Sequence, residues 1–148
     1  MFSCTSTKGN VSLLSLLKKI MRELQKFYIC HASIENVWQA LVQPKEIDGW
    51  GAGPAVMSER EGFSFSLWGG AIFGKNIIVI SQKKIVQEWY GDTNWQTPSI
   101  VTFNFSTFEN ATHIDLFQVN IPDTEFLSIN KGWDTYYIGP LVQYVENK

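Results

Sequence analysis

Gly132-Trp133-Asp134-Thr135-Tyr136-Tyr137-Ile138-Gly139-Pro140-Leu141-Val142-Gln143-Tyr144-Val145 is the stretch whose reading decides the fold. At helical period, Trp133, Tyr136, Tyr137, Leu141, Tyr144 and Val145 fall on one face. That face is mostly aromatic, and each covered ring removes roughly 150–250 Å² from water. It therefore needs a broad apolar partner. Pro140 offers no N–H to the carbonyl of Tyr136, so a bend is expected at Gly139-Pro140. The pattern alone allows two roles: a helix that fills the core, or one that closes a groove holding a guest.

Upstream, the chain supplies the partner as a succession of strands. Leu24 to Cys30 alternates, with Leu24, Lys26, Tyr28 and Cys30 on one side. Ser33 is placed to cap a short helix carrying Ile34, Val37, Trp38 and Leu41, and Pro44 opens a second one ending near Gly49. Gly51-Ala52-Gly53-Pro54 breaks the helix. Strands follow over Phe63–Trp68, Ile72–Ile80, Ile85–Tyr90, Ser99–Thr107 and Thr112–Gln118. Gly69-Gly70 makes a turn, and Gly74 is a candidate bulge or bend. Pro122 ends the sheet, and Asp123 or Ser128 begins the last helix. Short turns imply antiparallel pairing. The expected fold is α+β: a curved antiparallel sheet of about six strands wrapped around a long C-terminal helix, with two short helices after the first strand.

Composition bounds the function. The 148 residues make one domain's worth of chain, with a net charge of −2 and no basic run in the main body, which argues against nucleic acid as partner. No apolar run reaches the roughly 18 residues of a membrane span. Cys4 and Cys30 lack zinc spacing and suit reduced thiols in a cytoplasmic protein. Residues 1–20 differ from the rest: Met1 to Arg22 holds no acidic residue. They are expected to be an N-terminal extension ahead of a single domain over 21–148, with a transit peptide or a short surface helix as alternatives.

The segments His31-Ala32-Ser33-Ile34-Glu35-Asn36-Val37-Trp38-Gln39-Ala40-Leu41 and Trp50-Gly51-Ala52-Gly53-Pro54-Ala55 resemble the opening of the START-like, helix-grip (SRPBCC) superfamily. Within it, they most resemble the branch of the C-terminal domain of the activator of the 90-kDa heat-shock chaperone's ATPase. Arg60-Glu61-Gly62, Phe65-Ser66-Leu67-Trp68-Gly69-Gly70, Lys83-Lys84-Ile85-Val86-Gln87-Glu88-Trp89 and the Gly132-Trp133 to Tyr136-Tyr137 segment extend the match in order. The resemblance implies a helix-grip fold and a co-chaperone-like role, with that chaperone as partner. Two-domain activators carry a further N-terminal domain that supplies most of the stimulation, so the resemblance implies docking before full activation. Other branches carry lipids, sterols or aromatic ligands, which makes a small hydrophobic ligand the alternative partner.

The candidate ligand groove is lined by Trp68, Phe73, Trp89, Phe103, Tyr136 and Tyr137, with Gln118 and the tyrosine hydroxyls to orient a guest. Trp50 and Trp95, in loops, are the candidate partner contacts. No catalytic, metal or cofactor site is expected. Cys30 and His31 are adjacent on a strand and point to opposite faces, while His113 and Asp115 share a face near a turn. Glu88, mid-strand between Gln87 and Trp89, is expected to face water. The glycine pairs lack the lysine of a phosphate loop.

Overall fold

The computed structural model describes residues 21–91 and 97–148. The N-terminal extension expected over residues 1–20, with Cys4, lies outside the described residues, and so does Trp95.

Strand β1 (Met21–Cys30) leads into helices α1 (Ile34–Val42) and α2 (Pro44–Trp50). Then come β2 (Ser64–Leu67), β3 (Ile72–Ile80), β4 (Lys84–Tyr90), β5 (Ser99–Phe108) and β6 (Ala111–Pro122). The last helical segment runs as α3 (Asp123–Gly132), a π-helical turn over Trp133–Tyr137, and α4 (Ile138–Glu146). All six strands form one sheet in the order β1-β6-β5-β4-β3-β2, antiparallel throughout. This is the α+β helix-grip arrangement expected from the strand succession. The hydroxyl of Ser33 accepts the Asn36 N–H and caps α1. Gly51, at φ 110°, ends α2 in the left-handed conformation.

Two bulges set which side chains face the helix. Between Asn76 and Ile78 the β3–β4 register gains one residue, so Asn76 and Val79, three apart, both pair with inward-facing positions. A second shift lies opposite Arg22–Leu24, where Asn120 takes φ 60°, and Ile121 turns inward after Gln118. Gly74 is not the bulge. It is needed because a Cβ there would lie 1.7 Å from the Glu88 carbonyl oxygen, so β3 and β4 approach too closely for any side chain.

The expected bend at Gly139-Pro140 appears as the π-helical turn just before it. Ile138 N–H reaches back to the Trp133 carbonyl, and Tyr137 departs from helical angles at φ −115°, ψ −79°. Pro140 has no N–H for Tyr136, and a Cβ on Gly139 would sit 2.0 Å from the Asp134 carbonyl oxygen. In a straight α-helix, residues four apart drift by about 40°. A wider turn offsets that drift, and Trp133, Tyr137, Leu141 and Val145 are all buried against the sheet. Tyr136 falls off this stripe and is 64% exposed, contrary to its expected place on the buried face. From β1, Tyr28 donates to Asp134 at 2.6 Å and Lys26 bridges it at 3.0 Å, pinning the π turn from outside.

Cys30 is fully buried at the end of β1. Burial, and then the Glu146 carboxylate, push its thiol from an ordinary 9.0 up to about 11. Among the described residues, no helix is long and apolar enough to cross a membrane.

Gly74→Ala is expected to lower unfolding free energy by about 3 kcal/mol in urea denaturation, because the obstacle is backbone and cannot swing away; a loss under about 0.5 kcal/mol would contradict the close approach. The raised thiol has a sign in pH. Its stabilisation is complete below the ordinary value and is lost as pH rises from 9.0 through about 11. Cys30→Ala should therefore show a shallower alkaline loss of stability over that window than the parent, measured by thermal melts at stepped pH.

Candidate functional site

The inner face of the bent sheet and the final helical segment enclose one apolar groove of about 350 Å³. Its walls are Trp68, Ile72, Trp89, Gln118, Ser128, Ile129, Gly132, Trp133, Tyr136 and Tyr137. Five of the residues proposed from sequence therefore meet here: Trp68, Trp89, Gln118, Tyr136 and Tyr137. Tyr136 stands at the exposed rim, and Trp68 closes the β2 side from a one-turn 3₁₀ helix.

Two others do not. Phe73 belongs to the outer face: on β3 the inward positions before the bulge are Ile72, Gly74 and Asn76, so Phe73 points away and stacks on Tyr90 at 5.4 Å. Phe103 faces inward but lies beneath the groove, fully buried, with its ring 5.8 Å from both Trp133 and Tyr137. Trp50 is also corrected. It is only 6% exposed, donates its indole N–H to the Ala40 carbonyl at 2.8 Å and packs 4.8 Å from the Tyr137 ring. The C-terminal turn of α2 swings it into the core, so it is not a surface contact.

The groove walls are held by buried polar chains, of whose amide side chains the sequence pointed only to Gln118. Asn76 donates to the carbonyls of Ser58 and Arg60; its Oδ1 accepts from Gln87 Nε2 at 2.9 Å, and Gln87 Oε1 accepts from Trp89 Nε1 at 2.8 Å. Gln118 Oε1 accepts from Trp133 Nε1 at 2.8 Å. Both indoles are thus fixed in orientation, and their rings lie 5.0 Å apart. The signal for Gln87 was its parity with Ile85 and Trp89, a polar residue on the apolar side of a strand. Ser128, Ile129 and Gly132 were also missed, although they extend the Trp133–Tyr136 stripe back by one helical turn.

Two occluded polar atoms of groove-lining residues have no hydrogen-bond partner among the described residues: Gln118 Nε2 and the Tyr137 hydroxyl. Complete burial raises the Tyr137 pKa well above the ordinary phenol range, so the group stays a neutral O–H. Orphans of this kind are few in native interiors.

The groups weighed for chemistry are dispersed. Cys30 faces the core and His31 is exposed; His113 lies on the outer face against Phe27, 5.1 Å between rings. Glu88 sits on the outward side of β4. Among the described residues, no three His, Cys, Asp or Glu side chains gather as a metal set.

Tyr137→Phe should leave stability unchanged or raise it by up to about 1 kcal/mol, since it deletes an unpaired buried hydroxyl. Gln118→Leu should cost about 1–3 kcal/mol, because the Trp133 indole N–H loses its acceptor. Chemical denaturation of the two variants side by side checks the contrast.

Comparison with known proteins places this geometry among relatives. Residues 31–146 match the family model described as Activator of Hsp90 ATPase homolog 1-like protein. An uncharacterised Schizosaccharomyces pombe protein is 25% identical over 121 residues, covering 80% of this chain and 36% of its own length. The activator of 90 kDa heat shock protein ATPase homolog of Dictyostelium discoideum is 32% identical over 101 residues, covering 66% of this chain and 26% of its own. The chain thus spans well under two thirds of both curated relatives. Among solved structures, an Hsp90 activator from Plasmodium falciparum superposes with a TM-score of 0.71 at 24% identity, over 79% of this chain and 91% of that one. That likeness concerns the fold.

Proposed function

The chain belongs to the family of Activator of Hsp90 ATPase homolog 1-like proteins, and from that premise we propose that it is a non-enzymatic, cytoplasmic interaction domain that docks on the Hsp90 chaperone. The family match over residues 31–146 carries this reading. The outer face of the sheet gives it a surface. Phe27 (53% exposed), Ile29, Phe108 and Phe117 lie together on β1, β5 and β6 around His113, whose ring is 5.1 Å from Phe27 and 5.6 Å from Phe108. β1 is one of the two edge strands of the sheet. Exposed aromatic and aliphatic groups clustered on one face mark interaction sites more often than scattered ones do.

A second reading has its own observation. The apolar groove of about 350 Å³, walled by three indoles, supports binding of a small hydrophobic guest. Groove and outer patch lie on opposite faces of the sheet, so neither reading excludes the other.

The chaperone reading is tested with purified full-length chain and purified Hsp90 from the same source, with and without a non-hydrolysable ATP analogue. Capture by the parent chain is expected, with affinity reduced about tenfold or more by the double variant Phe27→Ser, Ile29→Ser. Phe73→Ser, on a distant part of the same face, should change capture little. No capture of Hsp90 by the parent under either condition would remove the reading.

A further inference from the structure

We infer that α3 is a lid over the groove, hinged at the π-helical turn and latched shut by Arg22 of β1. The inference concerns access to the groove and is tested with no guest present, so its failure and that of the small-guest reading are separate events.

The last helical segment is attached unequally along its length. Beyond the π turn, α4 buries Ile138, Leu141 and Val145, and the turn itself buries Trp133 and Tyr137. None of the ten residues of α3 is buried, and six are exposed, Leu127 to 80%. Its apolar contact with the core comes from Phe126 and Ile129, each only partly covered. Pro122 gives its first turn no side-chain cap. A helix of about ten residues does not persist alone in water, and most helical stability comes from packing an apolar face. Once detached, α3 would therefore lose its own hydrogen bonds as well.

Its two ends are held differently. At the C-terminal end Tyr28 and Lys26 fix Asp134, and the departure of Tyr137 from helical angles marks a backbone joint. At the N-terminal end a single side chain acts. Arg22 bridges Asp123 at 2.9 Å and lays its guanidinium 4.0 Å over the Phe126 ring. Asp123 and Phe126, three apart, lie on one side of the first turn, so one cation grips both. Among the described residues this is the only side-chain hydrogen bond joining α3 to the sheet. Arg22 itself stands on a strand paired with β6 along its length, so the post is fixed while the part it holds is not. Between the two ends, Ser128, Ile129 and Gly132 form the groove wall that faces Trp68, Ile72 and Trp89. Releasing Arg22 frees the end far from the joint, and outward movement there parts the two walls. Both Arg22 and Asp123 are about half exposed, so the latch is weak enough to open reversibly.

Amide hydrogen exchange of the full chain, followed residue by residue by NMR, tests this. In the parent, the amides of residues 127–132 should exchange at least about a hundredfold faster than those of 142–146, because α3 opens while α4 stays packed. Arg22→Gln keeps most of the side-chain stem and removes the charge. It should speed exchange over 127–132 by about fivefold and leave 142–146 unchanged. Arg22→Lys, which retains a cation, should fall between parent and Arg22→Gln. In the parent, sodium chloride at about 1 M should speed exchange over 127–132 alone, since it screens the exposed pair. Equal exchange rates in the two helices of the parent would show one rigid body and overturn the inference, whatever the variants do. It would equally be overturned by Arg22→Gln having no effect on 127–132, or by that variant accelerating both helices alike, which would mark a loss of global stability.

Discussion

The structure turns on one ring. Tyr137 is fully buried and lies within 6.2 Å, centre to centre, of Trp50, Trp68, Trp89, Phe103 and Trp133. These rings come from α2, the β2–β3 turn, β4, β5 and the π turn, so one side chain joins the short helices, the sheet and the final helical segment. Its position depends on a backbone irregularity. Gly139 and Pro140 impose a wide turn on the preceding residues, and that turn keeps Trp133 and Tyr137 over the sheet. Tyr28 and Lys26 hold the Asp134 carboxylate of the same turn, and the Tyr28 hydrogen bond keeps that carboxyl below the usual range. Relaxing the turn would disturb the core and the groove together.

The sheet contributes rigidity where the groove needs it. A buried indole N–H requires an acceptor, and the protein provides one to Trp89 from Gln87 on the same strand β4 and one to Trp133 from Gln118 on β6. Gln87 is itself held by Asn76, which is held by two backbone carbonyls of the loop before β2. This chain is satisfied at every donor, so it fixes orientation at little cost in stability. By contrast, Gln118 and Tyr137 are each left with one buried group unpaired among the described residues.

The two faces of the sheet have different chemistry because alternation along each strand sends successive side chains to opposite sides. Inward residues of β4 and β5 include Gln87, Trp89, Phe103 and Phe105; on β1 and β6 the outward ones include Phe27, Ile29 and Phe117 with His113. A guest inside and a protein partner outside would each contact residues the other does not touch. The outer cluster of apolar groups is the surface that the proposed docking would cover.

Much of the architecture was readable in the chain. Alternation gave the strands, Ser33 and Pro44 gave the helix starts, and the aromatic spacing after Gly132 gave the helix that the sheet wraps. Trp68, Trp89, Gln118, Tyr136 and Tyr137 could be proposed for one groove because hydrophobic period assigns a face to each residue. Phe73, Phe103 and Trp50 could not be placed that way. Phe73 depended on strand parity, which the bulge near Ile77 resets; Phe103 depended on depth beneath Tyr137; Trp50 depended on where a short helix ends against Ala40. Period is a property of neighbouring residues and is written in the sequence. Depth, register shifts and the loss of a hydrogen-bond partner arise only when segments distant in the chain are packed together, so the tertiary structure alone decided them.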